Sequence, residues 1–295
     1  MNKYIILIPL FNDWKSVSKL LDKIDLEIDR WNAQVSIVVV NDASTEEQTD
    51  LDRNFKKIKS IKILNMKENT MHQRCIAAGI KYICKNEDFD RLIIMDADGE
   101  DRPEELSIFY KKAQENPKMS ITGNRFKRSE GFVFITFYEI HKILTFIFTG
   151  KHIKFGNFTC LTKNHAHELT SKAYLWNSYS SSFVRAINQR TSIPSKRGFR
   201  YVLPSKMNFL SLIFHSLSIM SVFRKIVIIR TTLIILFYMF LISNNISVLT
   251  LIPILFLLIF LLVVLKISTR SSLKGLDNSL NNINSINILE KVNNQ

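Results

Sequence analysis

The chain has 295 residues and carries 40 Lys and Arg against 26 Asp and Glu, a formal net charge of +14. That length holds one large domain or two ordinary ones with a real core, and the basic excess narrows the partners to nucleic acid, an anionic membrane surface or anionic substrates, or serves solubility alone. The three cysteines, Cys75, Cys84 and Cys160, are odd in number and form no CxxC pair, which argues against a disulfide framework and for reduced, buried thiols facing a cytoplasm.

The opening “MNKYIILIPLFND” has too short an apolar core for a signal peptide and runs into a helical pattern, so none is expected. Strand-like apolar runs recur at 4–7, 35–40, 61–64, 92–95 and 119–122. Helical patterns separate them. Val17, Leu20, Leu21, Ile24 and Ile28 form one apolar stripe, “HQRCIAAGIKYICK” a second, and “RPEELSIFYKKAQE” a third with Pro103 near its start. Alternation about every 30 residues predicts an α/β fold with a parallel sheet. Ligands of such sheets bind at the carboxyl ends of the strands. Those ends read “PLFND”, “NDAST” and “DADGED”, all polar or acidic. With eight glycines and neither GxGxxG nor GxxxxGK[ST], phosphate is not held by a glycine-rich loop.

The acids stand out in so basic a chain. Asp96, Asp98, Glu100 and Asp101 fall within six residues after one apolar run. Such neighbours raise one another's pKa unless something positive joins them. Asp96 and Asp98, two apart at a strand end, offer hard oxygen ligands that suit Mg²⁺ or Mn²⁺. These ions keep waters and share substrate phosphate oxygens. Asp42, ending the second run, reads either as an acceptor for a base or ribose or as a helix cap.

Further along, the aromatic stretch 131–153 reads as an interfacial helix touching lipid or as a core helix. His165 and His167 of “HAH” cannot place both rings on one helix face. The basic group Lys196, Arg197, Arg200 and Lys206 precedes a second interfacial pattern over 207–223, and Gly198 reads as a turn residue. The runs 226–242 and 248–265 are almost wholly apolar, near the lower limit of about 17 residues for a span. Their short connector “SNNIS” makes them a hairpin. Arg224, Lys225 and Arg230 before it and Lys266, Arg270 and Lys274 after it place both flanks in the cytoplasm. Arg230, one turn inside, can snorkel to the interface. In the Asn-rich tail, Leu273, Leu276, Leu280 and Ile283 keep helical spacing, which allows a short amphipathic helix, a weak homo-oligomer contact, or disorder.

In this order, “IPLFND”, “VVVNDAST”, “HQRCIAAGI” and “IIMDADGEDRPEEL”, followed by “GNRFKRSEG”, “FGNFTCL”, “RGFRYVLPSKMNFLSL” and “HSLSIMSVF”, resemble family 2 glycosyltransferases of the GT-A fold. The nearest likeness is to the bacterial branch related to polyprenyl-phosphate sugar transferases, such as dolichol-phosphate mannose synthase. It runs over about residues 3–225. The resemblance implies a mixed, mostly parallel sheet flanked by helices, with a C-terminal two-helix transmembrane hairpin. The implied layout is a cytoplasmic GT-A domain over 1–205, an interfacial helix over 206–225, a hairpin over 226–266 and a cytoplasmic tail over 267–295. It places the protein in the inner membrane with both termini cytoplasmic.

By the same resemblance, Pro9 and Asn12 lie at the substrate, Asp42 contacts the nucleotide base, and Asp96 and Asp98 hold the nucleotide sugar through Mg²⁺ or Mn²⁺. Arg125 and Arg128 face the acceptor or the diphosphate, and Asp101 is a candidate base. Asn157 stands where many lipid-phosphate sugar transferases have Asp. An amide cannot take a proton, so either Asp101 or Glu100 serves a hydroxyl acceptor, or the acceptor is a phosphate that needs no base. Arg197, Arg200 and Lys206 would meet a lipid phosphate or membrane headgroups. The implied partners are a nucleotide sugar, polyprenyl phosphate or another lipid-linked acceptor, and membrane lipids, with no nucleic acid.

Overall fold

The computed structural model describes residues 1–48, 51, 55–127, 132–202 and 209–290. Eight strands build one sheet: β1 (Asn2–Leu10), β2 (Ala33–Asn41), β3 (Ile58–Met66), β4 (Arg91–Ile94), β5 (Ser120–Lys127), β6 (Thr159–Thr162), β7 (Arg190–Lys196) and β8 (Ile283–Glu290). Their order across the sheet is β7-β5-β6-β4-β1-β2-β3-β8. The pairs β1/β2, β1/β4, β2/β3 and β5/β7 are parallel, and β3/β8, β4/β6 and β5/β6 are antiparallel.

β1 sits near the middle because it is apolar on both faces, and Tyr4 to Leu10 are buried without a break. Tyr4, Ile6 and Ile8 enter one core layer, with Val17, Leu20, Leu21 and Ile24 of α1 (Trp14–Glu27) and Phe109 of α3 (Leu106–Glu115). Ile5 and Leu7 point the other way, onto Ile76, Ala77, Ile80 and Ile83 of α2 (His72–Asn86). Gly79 lets α2 lie close, since a Cβ there would stand 2.5 Å from Leu7 Cδ1. α5 (Lys163–Thr170) and α6 (Tyr179–Ala186) cover the same face.

A separate helical layer follows: α4 (Phe132–Thr149), α7 (Phe209–Ser221), α8 (Arg224–Ile242) and α9 (Val248–Ser268). Phe148, Met220, Val227 and Val264 form its small core. α8 and α9 are each long and apolar enough to cross a membrane. Leu233, Leu236, Phe237, Phe240, Leu255, Phe256 and Leu262 lie exposed on them, so they are not core helices of this fold.

Arg230 Nη1 donates to the carbonyls of Phe146 and Ile147 at 3.2 and 2.9 Å, capping the carboxyl end of α4. One expectation changes. The tail is neither one continuous helix nor disordered over its described length. Its helix α10 stops at Leu273–Asn278, and from Ile283 the chain becomes β8, antiparallel on β3.

Candidate active site

The carboxyl ends of β1, β2 and β4 converge with β5 and the loop after β7. Asn12, at φ +50°, staples the first two ends together. Its Oδ1 accepts from the Thr45 and Glu46 amides at 2.7 and 3.1 Å, and its own amide donates to Ser44 Oγ. Pro9 is buried within β1 opposite Val40. Asp42 is buried and its carboxylate is engaged. It accepts from the Thr70 amide and hydroxyl and from the Met71 amide, at 2.8, 3.1 and 2.9 Å. It therefore secures the turn into α2, and burial raises its pKa despite these donors.

Asp96, directly after β4, meets residues from two distant segments. His72 Nε2 lies 3.2 Å from its Oδ1 and the Asn157 amide nitrogen 3.1 Å from the same oxygen. Both contacts fall on Oδ1, and among the described residues none falls on Oδ2. Asn157 also lies 2.8 Å from His72 Nε2. One ring proton cannot serve both contacts, so Nε2 either donates to Asp96 or accepts from Asn157. Gln73 fixes the amide by donating to Asn157 Oδ1 and accepting from the Tyr179 amide. Burial works against charge on Asp96, but His72 and Arg125 outweigh it and hold the carboxyl below the usual range.

Asp101 is buried behind Asp96, one oxygen 3.2 Å from Arg125 Nη2 and the other accepting from the Asp96 amide at 2.9 Å. Burial, and then the charge of Asp96, push it up to about 7. Gly156 packs against the Arg125 guanidinium.

Asp98 and Glu100 meet a strap formed by residues 196–201. Arg200 Nη1 lies 2.9 Å from Asp98 Oδ2, and Arg197 pairs with Glu100. The Tyr201 amide donates to the Asp98 carbonyl and the Gly198 amide to the Glu100 carbonyl, each at 2.8 Å. Two glycines permit this approach. Gly99, at φ +87°, lies against the Tyr201 ring, and a Cβ on Gly198 would stand 2.4 Å from the Gly99 carbonyl oxygen. Gly198 thus serves close contact between two loops. Burial, then Asp96 and Glu100, push Asp98 up to about 6, opposed by Arg200. An open cleft of about 550 Å³ lies outside the strap beside Lys23, Arg102 and Tyr201, and the three aspartates do not line it.

The structure thus brings together Asp96, Asp98, Asp101, Arg125, Asn157, Arg197 and Arg200. It sets Pro9, Asn12 and Asp42 at neighbouring strand ends. Arg128 and Lys206 lie outside the described residues. His72 and Gln73 also join the site; in the sequence they open “HQRCIAAGI”, one of the stretches that carry the family resemblance, where packing or a hydrogen bond is the plain reading of His72. Among the described residues no three His, Cys, Asp or Glu side chains converge as a closed cage. A two-carboxylate donor set fits Mg²⁺ or Mn²⁺, which complete their shells with water and phosphate oxygens.

Solved structures share this architecture. Mannosyl-3-phosphoglycerate synthase from Rubrobacter xylanophilus is similar at 12% identity and a TM-score of 0.55, over 74% of this chain and 71% of that one. Glucosyl-3-phosphoglycerate synthase from Mycobacterium tuberculosis, solved with Mn²⁺, uridine-diphosphate-glucose and phosphoglyceric acid, is similar at 10% identity and a TM-score of 0.53. That match covers 77% and 80% of the two chains. Against S. aureus TarS 1-349 the TM-score is 0.46 at 12% identity, over 66% of this chain, which spans only 59% of that fragment. At these identities the first two likenesses are of fold alone. Curated protein sequences give no match. Residues 5–175, more than half of the chain, match the family described as glycosyl transferase family 2. Sheet, acidic strand end and family match agree: the chain belongs to glycosyl transferase family 2.

Proposed function

We propose that this protein is a membrane-anchored, inverting glycosyltransferase that moves a sugar from a nucleotide-sugar donor to a polyprenyl phosphate. Asp98, with Asp96 beside it, holds Mg²⁺ or Mn²⁺. When bound, the cation neutralises charge gathering on the departing diphosphate. An acceptor phosphate oxygen attacks the sugar C1 as the bond to the donor diphosphate breaks, and the nucleoside diphosphate leaves. Arg125, fixed by Asp101, stands beside the acids with its positive charge toward the anionic reactants. Arg200 leaves Asp98 as the donor enters and meets the anionic substrate instead. α8 and α9 anchor the chain in the inner membrane with both termini cytoplasmic, and α4 and α7 lie at its interface.

The observation that carries the phosphate acceptor is that the carboxylates beside the site are engaged. Asp101 lies between Arg125 and the Asp96 amide, Glu100 is paired with Arg197, and Asn157 is an amide. A phosphate arrives already anionic and needs no base. A sugar hydroxyl on a lipid-linked or envelope glycan is the second reading, and His72 favours it. Its ring is half-exposed and backed by Asp96 at 3.2 Å, an arrangement able to accept a proton.

The test is transfer by the purified full chain in detergent, with Mn²⁺ or Mg²⁺, labelled nucleotide sugars and undecaprenyl phosphate. Label reaching the organic phase, and falling on the order of a hundredfold or more in Asp98→Asn, is the expected outcome. Nucleotide release without lipid label, abolished in His72→Gln, selects the hydroxyl reading. Donor binding without turnover under any acceptor replaces both with a non-catalytic nucleotide-sugar-binding protein.

A further inference from the structure

A chain of hydrogen bonds runs from the start of α6 to Asp96, and both of its ends have fixed polarity. At one end is the amide of Tyr179, the first residue of α6, whose N–H has no partner within the helix. The Tyr179 side chain is fully buried and its hydroxyl is bonded to Thr159 Oγ1, so this donor is rigidly placed. A backbone N–H only donates. The Gln73 atom 2.8 Å from it is therefore the oxygen, and the Gln73 nitrogen faces Asn157 at 3.2 Å. The facing Asn157 atom is then its oxygen, which turns the Asn157 nitrogen toward Asp96 Oδ1 at 3.1 Å and His72 Nε2 at 2.8 Å. The other end agrees, because an ionised carboxylate only accepts.

This polarity settles the His72 ring. A neutral imidazole carries its proton on one nitrogen only. A proton on Nε2 alone would set N–H against N–H across 2.8 Å, whereas an Nε2 lone pair accepts from Asn157 there. The neutral ring therefore holds its proton on Nδ1, and a second proton arriving at Nε2 leaves that one in place. Nδ1 makes no hydrogen bond among the described residues, and the ring is half-exposed beside Asp96.

We infer that Gln73, acting through Asn157, keeps a proton on His72 Nδ1, and that this N–H donates to a phosphate oxygen of the reactants. Gln73 is a positioning residue, and His72 is the group that meets the ligand. The ring lies 3.2 Å from Asp96, so a phosphate drawn to the aspartates comes within its reach, and a hydrogen bond to a charged oxygen is among the stronger ones. The phosphate belongs either to the nucleotide donor or to the acceptor. A ring protonated at its open nitrogen presents no lone pair to a hydroxyl, so it suits an acceptor that arrives anionic. The inference rests on the transferase reading of this site.

The full chain, isotopically labelled at its histidine nitrogens, is held in maltoside micelles, and the rings are read by long-range proton–nitrogen correlation NMR. His72→Asn identifies the His72 signals among the six histidines. The expected wild-type pattern is a proton on Nδ1. Gln73→Glu still accepts from Tyr179 but offers Asn157 an acceptor, so the amide turns over and the proton moves to Nε2. Gln73→Met, which frees the amide and gives both tautomers, decides the matter if the charged variant does not fold. UDP or GDP with Mg²⁺, or farnesyl phosphate, is then added, with uridine and farnesol as phosphate-free controls. Movement of the Nδ1 resonance with a nucleoside diphosphate assigns the bond to the donor, and movement with farnesyl phosphate assigns it to the acceptor. Binding of that ligand is expected to weaken about tenfold in Gln73→Met. A wild-type ring protonated on Nε2 alone, a pattern unchanged in both Gln73 variants, or an Nδ1 resonance unmoved by every bound phosphate overturns the inference. The tautomer is read without turnover, so the two levels fail separately. A chain with Nδ1–H that transfers no sugar sinks the transferase reading, whereas one that transfers sugar with its proton on Nε2 sinks only the His72 assignment.

Discussion

Single side chains here often hold the backbone that carries the chemistry. Asp42 looks like a ligand for a nucleotide base, yet its carboxylate already accepts three hydrogen bonds from Thr70 and Met71. Asp42→Ala removes the charged acceptor that holds the turn into α2, and a loss of about 2 kcal/mol in denaturant-measured stability is expected. The cysteines are equally plain. Burial pushes the Cys84 thiol up to about 12 and Cys160 to about 11, and raises Cys75 as well. Iodoacetamide at pH 8 should therefore label the native chain on the order of a hundredfold more slowly than the urea-unfolded chain. The sign follows from the raised pKa values. The thiols favour the fold up to about pH 9, and that contribution is lost as pH rises toward 11 and 12. Mass spectrometry of labelled peptides checks both. The acids were legible from the sequence because strand ends in an alternating fold are where ligands sit. Their arginine partners were not, because Arg197 and Glu100 are 97 residues apart and nothing local joins them.

At the scale of elements, legibility followed burial. β1 to β5 show as apolar runs because each is covered by helices, and the stripe of α1 is the face that packs. β7 escaped notice because “RTSIPSK” alternates buried and exposed residues and contains Pro194, the pattern of a partly exposed strand. β8 escaped because “INSINILE” takes its conformation from pairing with β3, which no local propensity records. The strap over the acidic loop is the element whose alteration is most telling. Gly198→Ala forces a methyl against the Gly99 carbonyl oxygen, which cannot move aside as a flexible side chain would. A stability loss of about 1–3 kcal/mol is expected, with sugar transfer falling further than stability alone explains. Parallel denaturation and transfer assays on one preparation would separate the two.

On the scale of the whole molecule, positive charge and bare apolar surface are organised around one acidic centre. Arg230 ties α8 to the carboxyl end of α4, so the helical layer is held together by polar as well as apolar contacts. On the proposed anchoring by α8 and α9, an alkaline carbonate wash of membranes should leave the protein in the pellet, because two spans resist extraction that removes peripheral proteins. Chain order adds a further consequence. The strand that seals the β3 edge is made after both apolar helices, so during synthesis the catalytic sheet stands unfinished while the hairpin emerges. Until β8 arrives, β3 offers a row of unpaired backbone groups to any passing strand. On the proposed membrane anchoring, a nascent chain stalled before the bilayer is also one with an open sheet edge, so completion of the catalytic fold follows insertion of the hairpin.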